Sequence, residues 1–316
     1  MAKAVNEFID VNGTRQSILT MYTDTNNPVL LIVHGGAGMP DRALVQAYNS
    51  ELADCYTVVC WDQRGSGFST MRGRLTIDLM LSDLAAVVDC LRDKYHQERI
   101  VIAGHSWGAY LALRYVAAHQ DRVRYYIGTG QHISPFQGEI DRYRFVRAEA
   151  QKRNKKSTVW MLDSFGAPDG YTYPHMDAAA KAYVALKVVG YAGYFSRSNG
   201  VSMAKYVRQY LGLYRQCYGA HFPKALAGMV RPLLSLNLEM DRDDYISEIK
   251  ELSVPVLLVS GEEDMICPVP AAQRWLEQLT APKKDFVIIK NASHMVNFEQ
   301  PQKWNRLVKS VLEESN

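Results

Sequence analysis

Residues 99–119 read RIVIAGHSWGAYLALRYVAAH, an apolar run that breaks at Gly104-His105-Ser106-Trp107-Gly108 and turns at once into an Ala- and Leu-rich stretch. The apolar run reads as a buried strand and the stretch after it as a helix. A turn that tight is strained, and such strain persists only where the surroundings or a function hold it. What Ser106 is for depends on what the rest of the chain places around it.

Working outward, further short apolar runs end in small or turn-forming residues: PVLLIVHGG (28–36), YTVVCWD (56–62), VRYYIGTG (123–130), PVLLVSG (255–261) and DFVIIK (285–290). Uninterrupted Val/Ile/Leu runs of this length suit parallel strands covered on both faces. Helical patterns alternate with them. In residues 76–95, Ile77, Leu81, Leu84, Val88 and Leu91 fall on one helical face, with Thr76 placed to cap it. Near the N-terminus, EFIDV and RQSILTM flank Asn12-Gly13, a two-residue hairpin signal. Strand and helix in alternation predict an α/β fold, a mainly parallel sheet flanked by helices. The alternation stops near residue 130 and resumes near 254. The segment between holds eleven of the nineteen tyrosines. It reads as a helical cap, 131–250, inserted into a core made of 1–130 and 251–316.

Composition narrows the function classes. A net charge of +3 over 316 residues gives no sign of a nucleic-acid or membrane partner. The five cysteines are scattered, odd in number and free of any C-x-x-C pair, which reads as reduced thiols in a cytoplasmic protein. No signal-peptide pattern or span-length apolar run occurs, and no amphipathic surface segment stands out, which weighs against a lipase acting at membranes. No metal-ligand cluster is evident, so neither a metal nor another cofactor is expected. The expected partner is a small-molecule or short-peptide substrate, and nothing in the sequence bears on oligomeric state.

A strand, then G-x-S-x-G, then a helix is the context of a nucleophile elbow, with Ser106 presented at a helix N-terminus. A plain small-residue junction is the simpler alternative, and a dinucleotide loop would need the absent G-x-G-x-x-G. A serine hydroxyl needs a base, and the base needs an orienting acid, following in the order Ser, Asp or Glu, His. Asp264, just past the strand 255–261, and His294, in the loop after the last strand, supply that order. Glu262 and Glu263 are expected to face solvent. The oxyanion of a tetrahedral intermediate requires backbone donors. Trp107 N–H is one, and Gly36 of His34-Gly-Gly-Ala-Gly38 is the choice for the other, with Ala37 second. His34 is expected to hold that loop, and His105 has no acid partner in the expected order.

HGGAG, WDQRGSGFS, GHSWG, GEEDMICP and NASHM together resemble the α/β-hydrolase superfamily, and within it the proline iminopeptidase group. The likeness covers both halves of the core. It implies an α/β-hydrolase fold, a cofactor-independent serine hydrolase, and structural roles for Asp62 and Arg64 in bracing the oxyanion loop. Two departures stand out. Ala37 replaces the proline of that group's motif. The group holds a substrate amine with cap glutamates, whereas residues 178–238 contain no Asp or Glu and eight Lys or Arg. Glu139 and Glu239, at the cap's entry and exit, remain the candidates for touching an amine. An aminopeptidase, and an esterase or lactonase acting on a neutral or acidic substrate, are both compatible with these residues. A slow-turnover ligand receptor on the same fold is the rival from another class. Among the cap tyrosines, including Tyr183, Tyr191, Tyr194, Tyr206, Tyr210 and Tyr214, most are expected in the core and a few in a pocket.

Overall fold

The structure is a computed structural model that describes residues 2–170, 172–198, 200–240 and 243–314. Eight strands form one sheet in the order β1-β2-β4-β3-β5-β6-β7-β8. They are β1 (Lys3–Val11), β2 (Thr14–Tyr22), β3 (Val29–Val33), β4 (Thr57–Trp61), β5 (Ile100–His105), β6 (Val123–Thr129), β7 (Val256–Gly261) and β8 (Lys284–Ile289). The first two form the expected hairpin, with Asn12 at φ 44° and Gly13 at φ 73°, both positive as its two-residue turn requires. β2 joins β4 antiparallel, and every pairing from β4 through β8 is parallel. β3, β4, β5 and β7 are buried at every position, which explains their unbroken apolar runs.

Helices cover both faces. α1 (Arg42–Tyr48), α2 (Ile77–Tyr95) and α3 (Trp107–Ala118) follow β3, β4 and β5. The Thr76 hydroxyl caps α2 by accepting from Leu79 N–H. Between β6 and β7 lie α4 (Pro135–Lys152), α5 (Lys156–Phe165), α6 (Asp177–Tyr191), α7 (Met203–Tyr218), α8 (Phe222–Met240) and α9 (Tyr245–Glu248). α10 (Val269–Gln278), α11 (Val296–Glu299) and α12 (Pro301–Glu314) complete the chain. One apolar cluster packs α2, α3 and α10 on the sheet, and a second packs α1 and α12 on its other face.

The inserted helices divide by packing. α4, α5 and α6 close a small core of their own around Tyr143, Val146, Leu162, Phe165 and Val184. Tyr214, Tyr218 and Ala225 of the α7–α8 hairpin join the cluster on the α1 face, and Leu236 joins the other. The loops at the C-terminal ends of the parallel strands, where open α/β sheets place their ligands, thus lie under helices of two different attachments.

Candidate active site

β5 ends at His105, and Ser106 takes φ 53°, ψ −118° before α3 begins. Its N–H donates to Thr129 O at 2.9 Å, fixing the corner to β6. A Cβ on Gly108 would lie 2.0 Å from Val33 O, and one on Gly104 2.5 Å from Ala109 Cα. Only glycine lets helix and strand approach this closely. Ser106 is half-buried while Gly104, His105, Trp107 and Gly108 are buried. The first N–H groups of α3 have no intrahelical acceptor, so the helix presents its positive end beside the serine.

Asp264 follows β7 and is fully buried. Its Oδ1 accepts from Ile266 N–H and Cys267 N–H, both at 2.9 Å, and its Oδ2 lies 2.9 Å from His294 Nδ1. Three polar contacts hold the carboxylate and assign the imidazole proton to Nδ1, leaving Nε2 as the basic atom. His105 adds a support that sequence order does not suggest. Its Nε2 lies 2.9 Å from His294 O, and the two rings are 5.1 Å apart. Burial, then the neighbouring His294, push its pKa down to about 4, so it is a neutral donor to that carbonyl. A Cβ on Gly35 would stand 2.9 Å from His105 Nδ1 and 3.1 Å from Ser106 Cβ, which puts the HGGAG loop against Ser106. Among the described residues no hydrogen bond closes between Ser106 Oγ and His294; contacts of this kind often tighten only when substrate binds.

The loop after β3 is held by side chains of the next turn. His34 Nε2 lies 3.1 Å from Ser66 Oγ and accepts from Gln63 N–H at 3.2 Å. Gln63 is the residue that sequence reasoning missed. Its Nε2 donates to His34 O at 2.8 Å and its Oε1 accepts from Trp107 Nε1 at 3.0 Å, joining the loop after β3 to the turn at Ser106. Asp62 pairs with Arg42, the first residue of α1, at 2.8 Å, with both side chains buried. Arg64 departs from the bracing role expected of it. It forks onto Asp83 of α2 at 2.6 and 2.7 Å, tying α2 to the N-terminal hairpin instead. Asp41, at the end of the loop, is buried with Oδ2 unpartnered. Burial, then the nearby Asp62, push its pKa up to about 7.

The acids around the cap are already engaged. Glu139 accepts from Tyr173 OH at 2.7 Å and pairs with Arg142 at 3.0 Å. Glu239 accepts from Ile77 N–H at 3.2 Å, capping α2. Neither contact is with Ser106, Asp264 or His294. Glu262 is exposed as expected, but Glu263 is not: it accepts from Ser196 Oγ at 2.7 Å and Arg197 N–H at 3.0 Å. Glu299 accepts from Ser196 N–H and, at 2.8 Å, from Ser293 N–H. Tyr194 O accepts from Met295 N–H at 3.1 Å, and the Tyr194 ring stands edge-on 5.9 Å from His294. Residues 193–198 thus strap the helices inserted after β6 to the loop carrying His294, with Tyr194 left 44% exposed beside His294.

A family model described as the alpha/beta hydrolase fold matches residues 28–301. A probable aminopeptidase of Bacillus subtilis is 29% identical over 94% of this chain and 93% of its own length. A proline iminopeptidase of Heyndrickxia coagulans is 24% identical over 96% and 97%. A thermophilic esterase from Thermogutta terrifontis superposes with a TM-score of 0.60 at 21% identity, covering 99% of each chain. The chain belongs to the α/β-hydrolase family, as an enzyme of the serine-hydrolase type, and resembles the proline iminopeptidase group within it.

Proposed function

We propose that Ser106, His294 and Asp264 form the catalytic triad of a hydrolase that cleaves small esters or amides through an acyl-enzyme. The observation carrying this reading is the 2.9 Å His294 Nδ1–Asp264 Oδ2 contact. The Asp264 carboxylate is fixed from behind by two backbone N–H groups, and His294 O lies 2.9 Å from Nε2 of His105, the residue before a serine held at positive φ. Ser106 Oγ attacks the substrate carbonyl as His294 Nε2 takes its proton. Negative charge collects on the carbonyl oxygen, for which the Gly36 and Trp107 N–H groups are the assigned donors in this reading. His294 returns the proton to the leaving alcohol or amine. Water then repeats the sequence on the acyl-enzyme, releasing the acid and regenerating Ser106.

For the substrate, the engaged state of Glu139 and Glu239 favours an acyl group without a free ammonium, since a buried unpaired cation is costly. The aminopeptidase reading is kept because two full-length relatives carry that name. Fluorophosphonate labelling of the wild type, lost in Ser106→Ala, tests the nucleophile. Rates on p-nitrophenyl acetate, a prolyl anilide and its N-acetylated form test the substrate class. A strong preference for the free prolyl anilide would restore the aminopeptidase reading, and absence of labelling would overturn the triad.

A further inference from the structure

α8 has two faces with different occupants. Its inner face is spent on the protein: Ala225 and Leu236 are buried, and Pro232 lies against Gly38, where a Cβ would come within 2.7 Å of the proline. Its outer face carries Ala227, Val230 and Leu234 at helical spacing, with Leu233 beside them. Val230 is 55% exposed, Leu233 38% and Leu234 62%. Three large aliphatic side chains on one short stretch of surface helix are unusual in a protein that keeps its apolar residues inside.

The surroundings of this stripe are basic. Arg231 Nη2 donates to Gly73 O at 3.1 Å, which places the exposed Arg72-Gly73-Arg74 loop beside α8. Lys224 is exposed one turn before Ala227, and α7, packed beside α8, exposes Lys205, Arg208 and Arg215. None of Arg72, Arg74, Lys205, Arg208, Arg215 and Lys224 makes an ion pair among the described residues. The cap sequence offers no carboxylate from 178 to 238. The acids closest in sequence to the stripe and its loop are Asp78, at the start of α2, and Glu239, near the end of α8 and occupied in capping Ile77.

We propose that this face docks on an anionic lipid surface, the aliphatic stripe of α8 entering the headgroup boundary and the ring of Arg and Lys meeting phosphodiester groups. Exposed aliphatic residues flanked by unpaired cations are the signature of a helix lying in a membrane interface. A second copy of the chain is a poor occupant, because a two-fold contact through this face would set unpaired cations against themselves. Docking here brings the membrane to the outer side of the helix whose inner side touches the oxyanion loop. Periodicity in the sequence does not single out α8, because its outer stripe becomes visible only once the inner one is accounted for.

The test is co-sedimentation of the full chain with vesicles of phosphatidylcholine alone and of phosphatidylcholine containing phosphatidylglycerol, with soluble heparin as a polyanion control. Binding to the anionic vesicles only is expected, weakening as salt rises. Arg72→Gln with Arg74→Gln should lower partitioning on the order of thirtyfold. Leu234→Asp should lower it at least about tenfold. Both variants are expected to keep the wild-type circular dichroism and p-nitrophenyl acetate turnover, so lost binding would not reflect lost fold. Absence of binding to anionic vesicles overturns the proposal. So does binding that survives Leu234→Asp, or heparin binding with the same dependence on every variant, since either describes a general polyanion attraction. The readout is sedimentation, so it stands or falls apart from the triad assignment.

Discussion

Asp41→Asn should stabilise this protein, and more so at alkaline than at acid pH. Asp41 is 4% exposed, stands before α1 without a side-chain cap bond, and has an unpartnered Oδ2. Arg42, the adjacent cation, is committed to Asp62. The carboxyl therefore holds its proton from its ordinary 3.8 up to about 7, because burial and the second carboxylate disfavour its charge. Between those values the folded chain retains a proton that the unfolded chain has released, so stability falls as pH rises. Above about 7 both states are ionised and the whole penalty is present. At about 1.4 kcal/mol per pH decade, the ceiling is about 4 kcal/mol at pH 8 and between about 1 and 2 kcal/mol at pH 5. Asparagine does not titrate and keeps the shape, but its amide also lacks a partner, so the realised gain at pH 8 should be about 1–3 kcal/mol. Urea unfolding at the two pH values measures it, as a shift in midpoint at constant slope. A variant no more stable than wild type at pH 8, or a difference that does not change with pH, refutes the account of Asp41.

Ser106→Ala should retain the fold and lose up to about a millionfold in rate, read by labelling and turnover; half the wild-type rate would show another nucleophile. His105→Ala removes the donor to His294 O and should lower kcat about tenfold to a hundredfold with little change in KM. His105→Gln, which keeps a donor, should recover most of that loss, and an unchanged kcat in the alanine variant would leave His105 without a positioning role. Burial, first among the causes in each case, holds His34 at about 3, His105 at about 4 and His132 at about 3, against an ordinary 6.5. These three imidazoles should show no titration by nuclear magnetic resonance between about pH 5 and about pH 8. They should also lower stability as pH falls below 6.5, because the unfolded chain takes up protons that the folded one refuses. Glu139→Gln should act on stability, by about 1 kcal/mol or more, because its partners are Arg142 and Tyr173. A loss confined to free-amine substrates would instead make it the amine ligand.

What the sequence made legible is what the backbone dictates over short range. The hairpin at Asn12-Gly13 needs two positive φ values, the cap at Thr76 needs a hydroxyl three residues before Leu79, and the elbow needs glycine where α3 crosses β3. Each is a local constraint that few residue types satisfy, so the residue type reveals the geometry. Asp264 and His294 were readable for a related reason: both stand just past apolar runs, and parallel strands deliver their ends to one edge.

The parts that were not legible are side-chain partnerships across long sequence separations. Gln63 looks like one polar residue in a polar turn, yet it spans His34 and Trp107 because β4 lies beside β3 in the sheet. Glu263 follows a strand end, as a solvent-facing acid would, but residues 193–198 come down onto it from the cap. Arg64 shares a motif with Asp62 and sits two residues away, yet its guanidinium finds Asp83 on α2 while Asp62 finds Arg42 on α1. Sign and hydropathy are the same in either outcome; only the fold decides which opposite charge is within reach. For the same reason a count of cap acids cannot decide whether an amine is recognised. Glu139 is present and buried, but Arg142 and Tyr173 already hold both of its oxygens, so an incoming ammonium would have to displace a guanidinium. Whether an ammonium could be held there depends on which carboxylates remain unpaired, and that is a property of the packed helices rather than of their composition.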